Sequence, residues 1–430
     1  MSADSFDVPL LTYTEVLERI QNTQNHLLLG NGFNRGLGVN TSYSNIFKKM
    51  IEEDFSLYEE AKSLVEECEY DLERFIGRLE EDIQAENNFL RKFVHNKVKM
   101  DFMKAIHGIV KAAIKNVYAE ENQGVYLLLK SFTNYFTLNY DPLLYLLLLH
   151  YSPVQGAKDT ALAMQPTLKF IEEDLNIKSN DIYAEIKQAR ENGKLTLTVS
   201  GVDDINTTSS KLKTLKKVQF IAVITEYSEK NNKGWKRKDI AKVVDILLEE
   251  EKRKYVLKKV DDGSRPQSLF DEKTEYVFDT HSTTQNLFFL HGAFHMYKDR
   301  KHIKKITQRT DKALYDRIEE ILNDNDRELV CVFQTKDKMN AINENDYLKN
   351  CLNKLGTLSG VMVIIGSSLD DNDDHIFEQI NQSRIESLYI STLKEHKVQM
   401  FEKAAKKFPA KSVHLFDALT ISYYVPDSKP

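Results

Sequence analysis

Four short stretches carry residue types that can hold a nucleotide and act on it. Gly30-Asn31-Gly32-Phe33-Asn34-Arg35-Gly36 follows an apolar run, and Asn139-Tyr140-Asp141-Pro142 follows an aromatic one. His291-Gly292 closes a third run, and Gly366-Ser367-Ser368-Leu369 closes Val361 to Ile365. Gly30 and Gly32 permit positive φ and let backbone approach a phosphate, with Arg35 as counter-charge; a tight turn uses the same glycines. Asn139 and Asp141 can hydrogen-bond ribose hydroxyls, or Asp141 can cap the helix that Pro142 opens. His291 suits a general base near neutral pH, and equally a structural imidazole. Gly366, Ser367 and Ser368 can cradle a phosphate or ribose edge. The acidic run Asp370 to Asp374 behind them reads as helix capping and macrodipole compensation. Its oxygens lack a regular ligand spacing, so no metal is expected.

These stretches share a grammar: apolar strand, small or polar residues, then helix. His26 to Leu29 reads as a buried parallel strand stopped by Gly30, and Phe132 to Leu138 as a second strand before a helix over 143–150. Leu287 to Leu290, Glu328 to Phe333 and Gly360 to Ile365 read as further strands. Helices are expected over 12–22, within 44–120, over 311–323 and over 373–381, with a strand and helix in 385–406 and terminal strands in 412–424. Alternating strands and helices predict a Rossmann-like α/β fold, a parallel sheet with helices on both faces and ligands outside the strands' carboxyl ends.

Between the halves the character changes. We read 1–153 and 281–430 as two parts of one core and 154–280 as a mixed α/β or helical insertion. It contains an alternating segment (Lys194 to Val199) and a strand candidate (Val218 to Thr225). Residues 205–260 hold 15 basic against 7 acidic side chains, which makes this stretch a solvated helical face or a docking surface for an acidic partner.

Bulk properties narrow the class. The chain has 430 residues and a formal net charge of -6, which argues against a whole-protein nucleic-acid binder. Cys68, Cys331 and Cys351 form no C-x-x-C pair, so neither a zinc ribbon nor a disulfide framework is expected and the reducing cytoplasm fits. The polar start, Met1 to Val8, does not resemble a secretory signal, and the longest apolar run, Pro142 to Leu149, is too short to span a bilayer.

Taken in order, Gly-Asn-Gly, Asn-x-Asp, Leu-His-Gly and Gly-Ser-Ser-Leu resemble the sirtuin series of a glycine loop, a Thr-Gln-Asn-x-Asp element, a catalytic His-Gly and a Gly-Thr-Ser-Leu loop. Asn139, Asp141, His291, Ser367 and Ser368 fall on those positions. The likeness is closer to the sirtuin-like families of bacterial anti-phage defence, the abortive-infection H type in particular. Gly30 to Asn34 and Thr41-Ser42-Tyr43-Ser44 are similar to the Gly-Asn-Gly-Phe-Asp and Ser-Tyr-Ser elements of those families. The resemblance covers roughly 1–150 and 280–430. Asn34 stands where aspartate is common, Asn40 where proline is usual, and Leu138 where glutamine precedes the asparagine. The zinc module of the deacylases is absent, so deacylation is not expected.

The resemblance implies a zinc-independent hydrolase that cleaves NAD+ to ADP-ribose and nicotinamide, with no cofactor beyond its substrate. Asn139 would position the ribose or the attacking water, Asp141 would orient Asn139 or stabilise positive charge, and His291 would accept a proton. The backbone of Gly30 to Asn34, with Arg35, would take the diphosphate; Tyr43 or Phe33 would flank the nicotinamide; Gly366, Ser367 and Ser368 would cradle the adenosine side. It also implies gating, by homo-oligomerisation or by a partner such as a HerA-type translocase, a short Argonaute or a phage protein. A non-catalytic sensor of NAD or ADP-ribose fits the same core. A hydride-transferring dehydrogenase fits less well, because Arg35 stands where the third glycine of its fingerprint belongs.

Overall fold

The computed structural model describes residues 8–52, 62–81, 87–117, 123–151, 181–192, 217–253, 260–268, 274–299, 302–306, 317–318, 328–332 and 338–423. Its strands are β1 (Leu10–Leu11), β2 (Asn25–Leu29), β3 (Asn134–Thr137), β4 (Ser264–Ser268), β5 (Thr274–Phe278) and β6 (Leu287–Phe289). They continue with β7 (Gly292–Asp299), β8 (His302–Lys305), β9 (Glu328–Cys331), β10 (Ser359–Ile365), β11 (Arg384–Thr392) and β12 (Ser412–Asp417).

Seven strands form one parallel sheet in the order β1-β12-β11-β10-β2-β3-β6. Helices flank it, as the sequence grammar requires. β2 is buried along its whole length, and so is β10 from Val361 to Ile365, which explains their unbroken apolar runs. The helices Asn31–Gly36, Leu143–His150, Asp374–Gln382 and Lys397–Lys407 follow β2, β3, β10 and β11. β2 lies between β10 and β3, so the chain leaves it in one direction and returns on the other side. That reversal opens a crevice at the carboxyl ends of β2 and β10, the usual place for a ligand in such sheets.

Two compact units partition the chain: Met1–Leu162 with Leu257–Pro430, and Ala163–Val256. The first contains the parallel sheet and a second, antiparallel sheet, ordered β4-β5-β8-β7-β9. The described part of the other unit is helical: Asp181–Asn192, Lys217–Lys230 and Arg237–Arg253 enclose Ile186, Phe220, Ile224, Ile240 and Val244.

Several expectations need correction. Val218 to Thr225 is not a strand but part of the helix Lys217–Lys230. Its β-branched residues favoured extension locally, yet Phe220, Ile221, Ile224 and Tyr227 recur at helical spacing and are buried together. The expected insertion ran to 280, whereas β4 and β5 pair within the second sheet of the first unit. Glu328–Cys331 is a strand, but it joins β7 in the antiparallel sheet. His291-Gly292 does not lead to a helix. Gly292, at φ +79, turns the chain from β6 directly into β7, where an added Cβ would meet the Val330 carbonyl oxygen at 1.9 Å. Lys194 to Val199, and nearly all of 311–323, lie outside the described residues. No helix among the described residues is long and apolar enough to cross a membrane.

Behind β6 and β7 lies a buried polar group that serves the core. His295 is fully buried, stacks on Tyr145 with ring centroids 5.1 Å apart, and has no hydrogen-bond partner on either ring nitrogen among the described residues. Burial pushes its pKa down from 6.5 to about 3, while Asp262 opposes the shift and Lys305 adds to it. The unfolded imidazole therefore takes up a proton well before the folded one does. Its contribution to stability is complete above the ordinary histidine pKa and declines as pH falls through the interval below it. His295→Phe keeps the stack and is expected to flatten the acid limb of stability, read as the urea midpoint between pH 7 and pH 4. An unchanged limb would refute this source.

Candidate functional site

The crevice between the loops after β2 and β10 is held open by backbone contact. The Gly30 N–H donates to the Ile365 carbonyl and the Gly32 N–H to the Gly366 carbonyl, both at 2.9 Å. A Cβ on Gly30 would lie 2.5 Å from the Gly366 oxygen, and one on Gly32 would lie 2.5 Å from the Gly366 Cα. Gly366 itself sits at φ +74 against the Phe33 nitrogen. These glycines are required because two main chains touch. Their N–H groups are consequently engaged, so the expected diphosphate cradle on Gly30 and Gly32 is not formed by those donors.

The cleft they border has a volume of about 420 Å³, within the range of small-molecule sites. From the first loop Gly30, Asn31, Gly32 and Arg35 line it, with Tyr43 beyond. Asn139, Asp141 and His291 line it as well, and so do Gly366, Ser367 and Ser368. All three residues expected to carry chemistry thus share one cleft.

Two expected contacts are not there. Phe33 is fully buried and turned to the core, edge-on to Tyr423 at 6.1 Å. Asn34 is buried as well and serves a different purpose. Its Nδ2 donates to Asp141 Oδ2 at 2.7 Å, and its Oδ1 accepts from Asn139 Nδ2 at 3.2 Å. Asp141 therefore orients Asn34, which orients Asn139; the link between Asp141 and Asn139 runs through Asn34.

The carboxylate sets the direction of that relay. Asp141 Oδ1 accepts from the Leu143 N–H at 2.9 Å, so each oxygen receives an N–H donor, which favours the carboxylate. Burial raises the Asp141 pKa, while the Leu143 and Asn34 hydrogen bonds oppose the rise. An acceptor at Asp141 forces Asn34 to present its nitrogen there and its oxygen to Asn139. Asn139 must then turn its nitrogen inward, toward Asn34 and the Gly30 carbonyl at 3.2 Å. Asn139 Oδ1 accepts no hydrogen bond among the described residues and is the amide atom left for the cleft.

Asn31 and the serines line the cleft with polar groups already in use. Asn31 Nδ2 donates to the Thr41 carbonyl at 2.6 Å and its Oδ1 accepts from the Thr41 hydroxyl, which ties the glycine loop to Thr41 and so to Tyr43. Ser367 Oγ accepts from the Leu369 N–H at 3.3 Å, and Ser368 Oγ donates to Asp370 Oδ2 at 2.5 Å. Arg35 is exposed and makes no ion pair among the described residues, which leaves it available to an anion. Tyr43 is half exposed, its ring 6.0 Å from that of Phe102.

His291 forms the cleft floor and is only 3% exposed. Its Nε2 lies 3.4 Å from His375 Nε2 and 3.5 Å from Asp373 Oδ1. Burial depresses its pKa well below the usual value; Lys338 and His375 add to this and the Leu138 carbonyl opposes it. His375 is pushed down to about 4 by burial and by Lys338. Both imidazoles are neutral at pH 7. Lys338 Nζ bonds Asp373 Oδ1 at 3.1 Å and the Asn372 carbonyl at 3.2 Å.

Lys338, Asp373 and His375 were not legible as site residues. Asp373 sat in a run that reads as helix capping, and Lys338 carries no local motif. His375 gave one signal: it interrupts the apolar face of Ile376, Phe377 and Ile380. Among the described residues, no three His, Cys, Asp or Glu side chains are disposed to hold a metal ion.

With this geometry in view, residues 243–422 match a family described as a domain of unknown function (DUF4917). The match takes in less than half of the chain. It includes His291, Lys338, the Gly366 loop, Asp373 and His375, and omits Gly30 to Arg35 and Asn139 to Asp141. No curated protein matches the chain.

The relay is testable without a ligand. Asn34→Asp replaces the donor to Asp141 with a second carboxylate. A loss of about 2 kcal/mol or more is expected at neutral pH, partly recovered near pH 5 where the two carboxyls share a proton. Stability should therefore rise as pH falls, opposite to the parent; urea melts at the two pH values check it.

Proposed function

We propose that the cleft binds NAD+ and hydrolyses the bond between ribose C1 and nicotinamide, releasing ADP-ribose. The observation that carries this reading is the carboxylate-set relay, which leaves Asn139 Oδ1 as an acceptor in the same cleft as the imidazole of His291. Leaving-group departure from C1 gives an oxocarbenium-like transition state, so the site must hold the ribose, tolerate positive charge and direct water. Asn139 Oδ1 accepts a hydrogen bond from that water or from a ribose hydroxyl. Water oxygen bonds to C1, the C1–N bond breaks, nicotinamide leaves neutral, and the surplus water proton passes to His291. Arg35 pairs with the diphosphate. Tyr43 packs on the nicotinamide side, and the Gly366 loop faces the adenosine side.

The likeness to anti-phage effectors extends the proposal to a gated enzyme, controlled by self-association or by a partner protein of a defence system. A sensor that binds NAD+ without turnover is the rival, and the depth of His291 is what favours it: an imidazole so enclosed must be reached through the cleft.

Purified protein is incubated with NAD+ and nicotinamide release is followed, alone and with candidate activators. His291→Ala and Asn139→Ala are each expected to lower the rate by about 100-fold or more while NAD+ binding persists. Variants that hydrolyse NAD+ at the parental rate overturn the assignment. NAD+ binding that survives His291→Ala in a protein with no turnover under any condition supports the sensor. Arg35→Ala should weaken binding by about tenfold, read by calorimetry.

A further inference from the structure

The groups behind His291 include more than a single base needs. Lys338, from the helix Lys338–Asn343, reaches Asp373 at the end of the turn Asp371–Asp373. His375, in the first turn of the helix Asp374–Gln382, points its Nε2 at that of His291. An ammonium, a carboxylate and two imidazoles are thus packed around one wall of the cleft, and Lys338 and His375 are both nearly buried. Other charged groups in the neighbourhood are engaged elsewhere. Asp370 pairs with Lys403, Asp371 and Asp374 pair with Lys407, and Asp141 is held by Asn34. On the β9 side, Lys99 bonds the Cys331 carbonyl, and burial keeps the Cys331 thiol protonated by raising its pKa to about 12. Tyr140 lies against the His291 ring at 6.1 Å and donates to the Val332 carbonyl. Arg35 stands at the exposed rim.

The ring orientation follows from these neighbours. Nε2 of His291 faces His375 and Asp373, which leaves Nδ1 as the donor to the Leu138 carbonyl. A neutral ring with Nδ1 protonated carries its lone pair on Nε2. Without Lys338, the Asp373 carboxylate 3.5 Å away would be free to stabilise a protonated His291, against the burial that disfavours the cation. Lys338 occupies the same Asp373 oxygen and adds a positive charge of its own.

We propose that Lys338, seated on Asp373, is a positioning residue that keeps the His291–His375 pair neutral and so leaves Nε2 of His291 ready to accept a proton. His375 is the second member of the pair. After transfer, the new Nε2 proton of His291 points at His375 Nε2, which accepts it when His375 carries its own proton on Nδ1, and the Nδ1 proton of His291 stays in its bond to the Leu138 carbonyl. One proton enters the pair, none leaves, and later loss to water restores the starting state. The proposal rests on the NAD-cleaving reading only for the purpose the base serves; the state of the imidazoles stands apart from it.

The test therefore reads the imidazoles and not turnover. The histidine ring signals of the full chain are followed by NMR against pH, with His291→Gln and His375→Gln used for assignment. In the parent, the pair should titrate below the ordinary histidine range. Lys338→Met should raise the His291 midpoint by about one pH unit or more, through lost repulsion and a freed carboxylate. Lys338→Arg should restore the low midpoint. Asp373→Asn, which leaves the ammonium uncompensated, should move it further down, and this variant decides the matter if Lys338→Met does not fold. A His291 midpoint that is unmoved in Lys338→Met, or raised in Asp373→Asn, overturns the proposal. Should NAD+ prove not to be cleaved, these shifts are still read. If it is cleaved, the acid limb of kcat/KM should move upward with the same midpoint in Lys338→Met.

Discussion

The site depends on one close approach, that of the loop after β2 to the loop after β10. Parallel neighbours normally diverge where their strands end, because each must turn into its own helix. Here the ladder is extended by two bonds, from the Gly30 and Gly32 N–H groups to Ile365 and Gly366, and main chain lies on main chain. Any side chain at these positions would push the loops apart. The contact fixes where Asn31 and Arg35 leave the first loop and where Ser367 and Ser368 leave the second. It also consumes donors that a phosphate would otherwise meet. Glycine here secures the shape of the crevice more than its chemistry, and Arg35 is the charge the first loop offers.

The polarity of the site comes from a single buried carboxylate. Burying an unpaired charge is costly, and Asp141 meets that cost with two N–H donors. One donor belongs to the first turn of the helix Leu143–His150, so one side chain serves both the helix start and the orienting role. The other reaches across to Asn34 and, through it, determines which end of the Asn139 amide faces the cleft. A helix cap and a site residue are often weighed as alternatives. In this chain one carboxylate is both, which is why the spacing Asn139-x-Asp141 could not distinguish them.

What the sequence revealed and what it concealed divide along the same physical line. Unbroken apolar runs closed by glycine or an amide marked β2, β3, β6 and β10, because strands buried on both faces tolerate little else. The cleft walls came with them. The antiparallel sheet stayed hidden because its strands are short and mixed: β4 reads Ser-Arg-Pro-Gln-Ser and β8 reads His-Ile-Lys-Lys. Such strands are specified by partners distant in sequence. Asn34 looked like a phosphate-loop residue since the relay that claims it runs through a position 107 residues away. Lys338 could not be seen at all; its meaning lies wholly in the carboxylate it touches. Leu369, at φ +54 and buried, is a further local exception that hydrophobic patterning does not signal.

His291 and His295 show why burial alone does not define a base. The two lie four residues apart on either side of the turn into β7, both are nearly inaccessible, and burial holds both neutral. His295 is sandwiched among Tyr145 and Phe289, with neither nitrogen bonded among the described residues. Protonating it could only weaken the core. His291 has its Nδ1 side anchored to the Leu138 backbone, its Nε2 side facing a second imidazole, and a cleft that also presents Asn139. The difference is made by the turn at Gly292, which sends one side chain to the crevice and the next buried histidine into the body of the sheet. The place of His291 at the cleft is therefore a property of topology, and the same residue type four places on is packing.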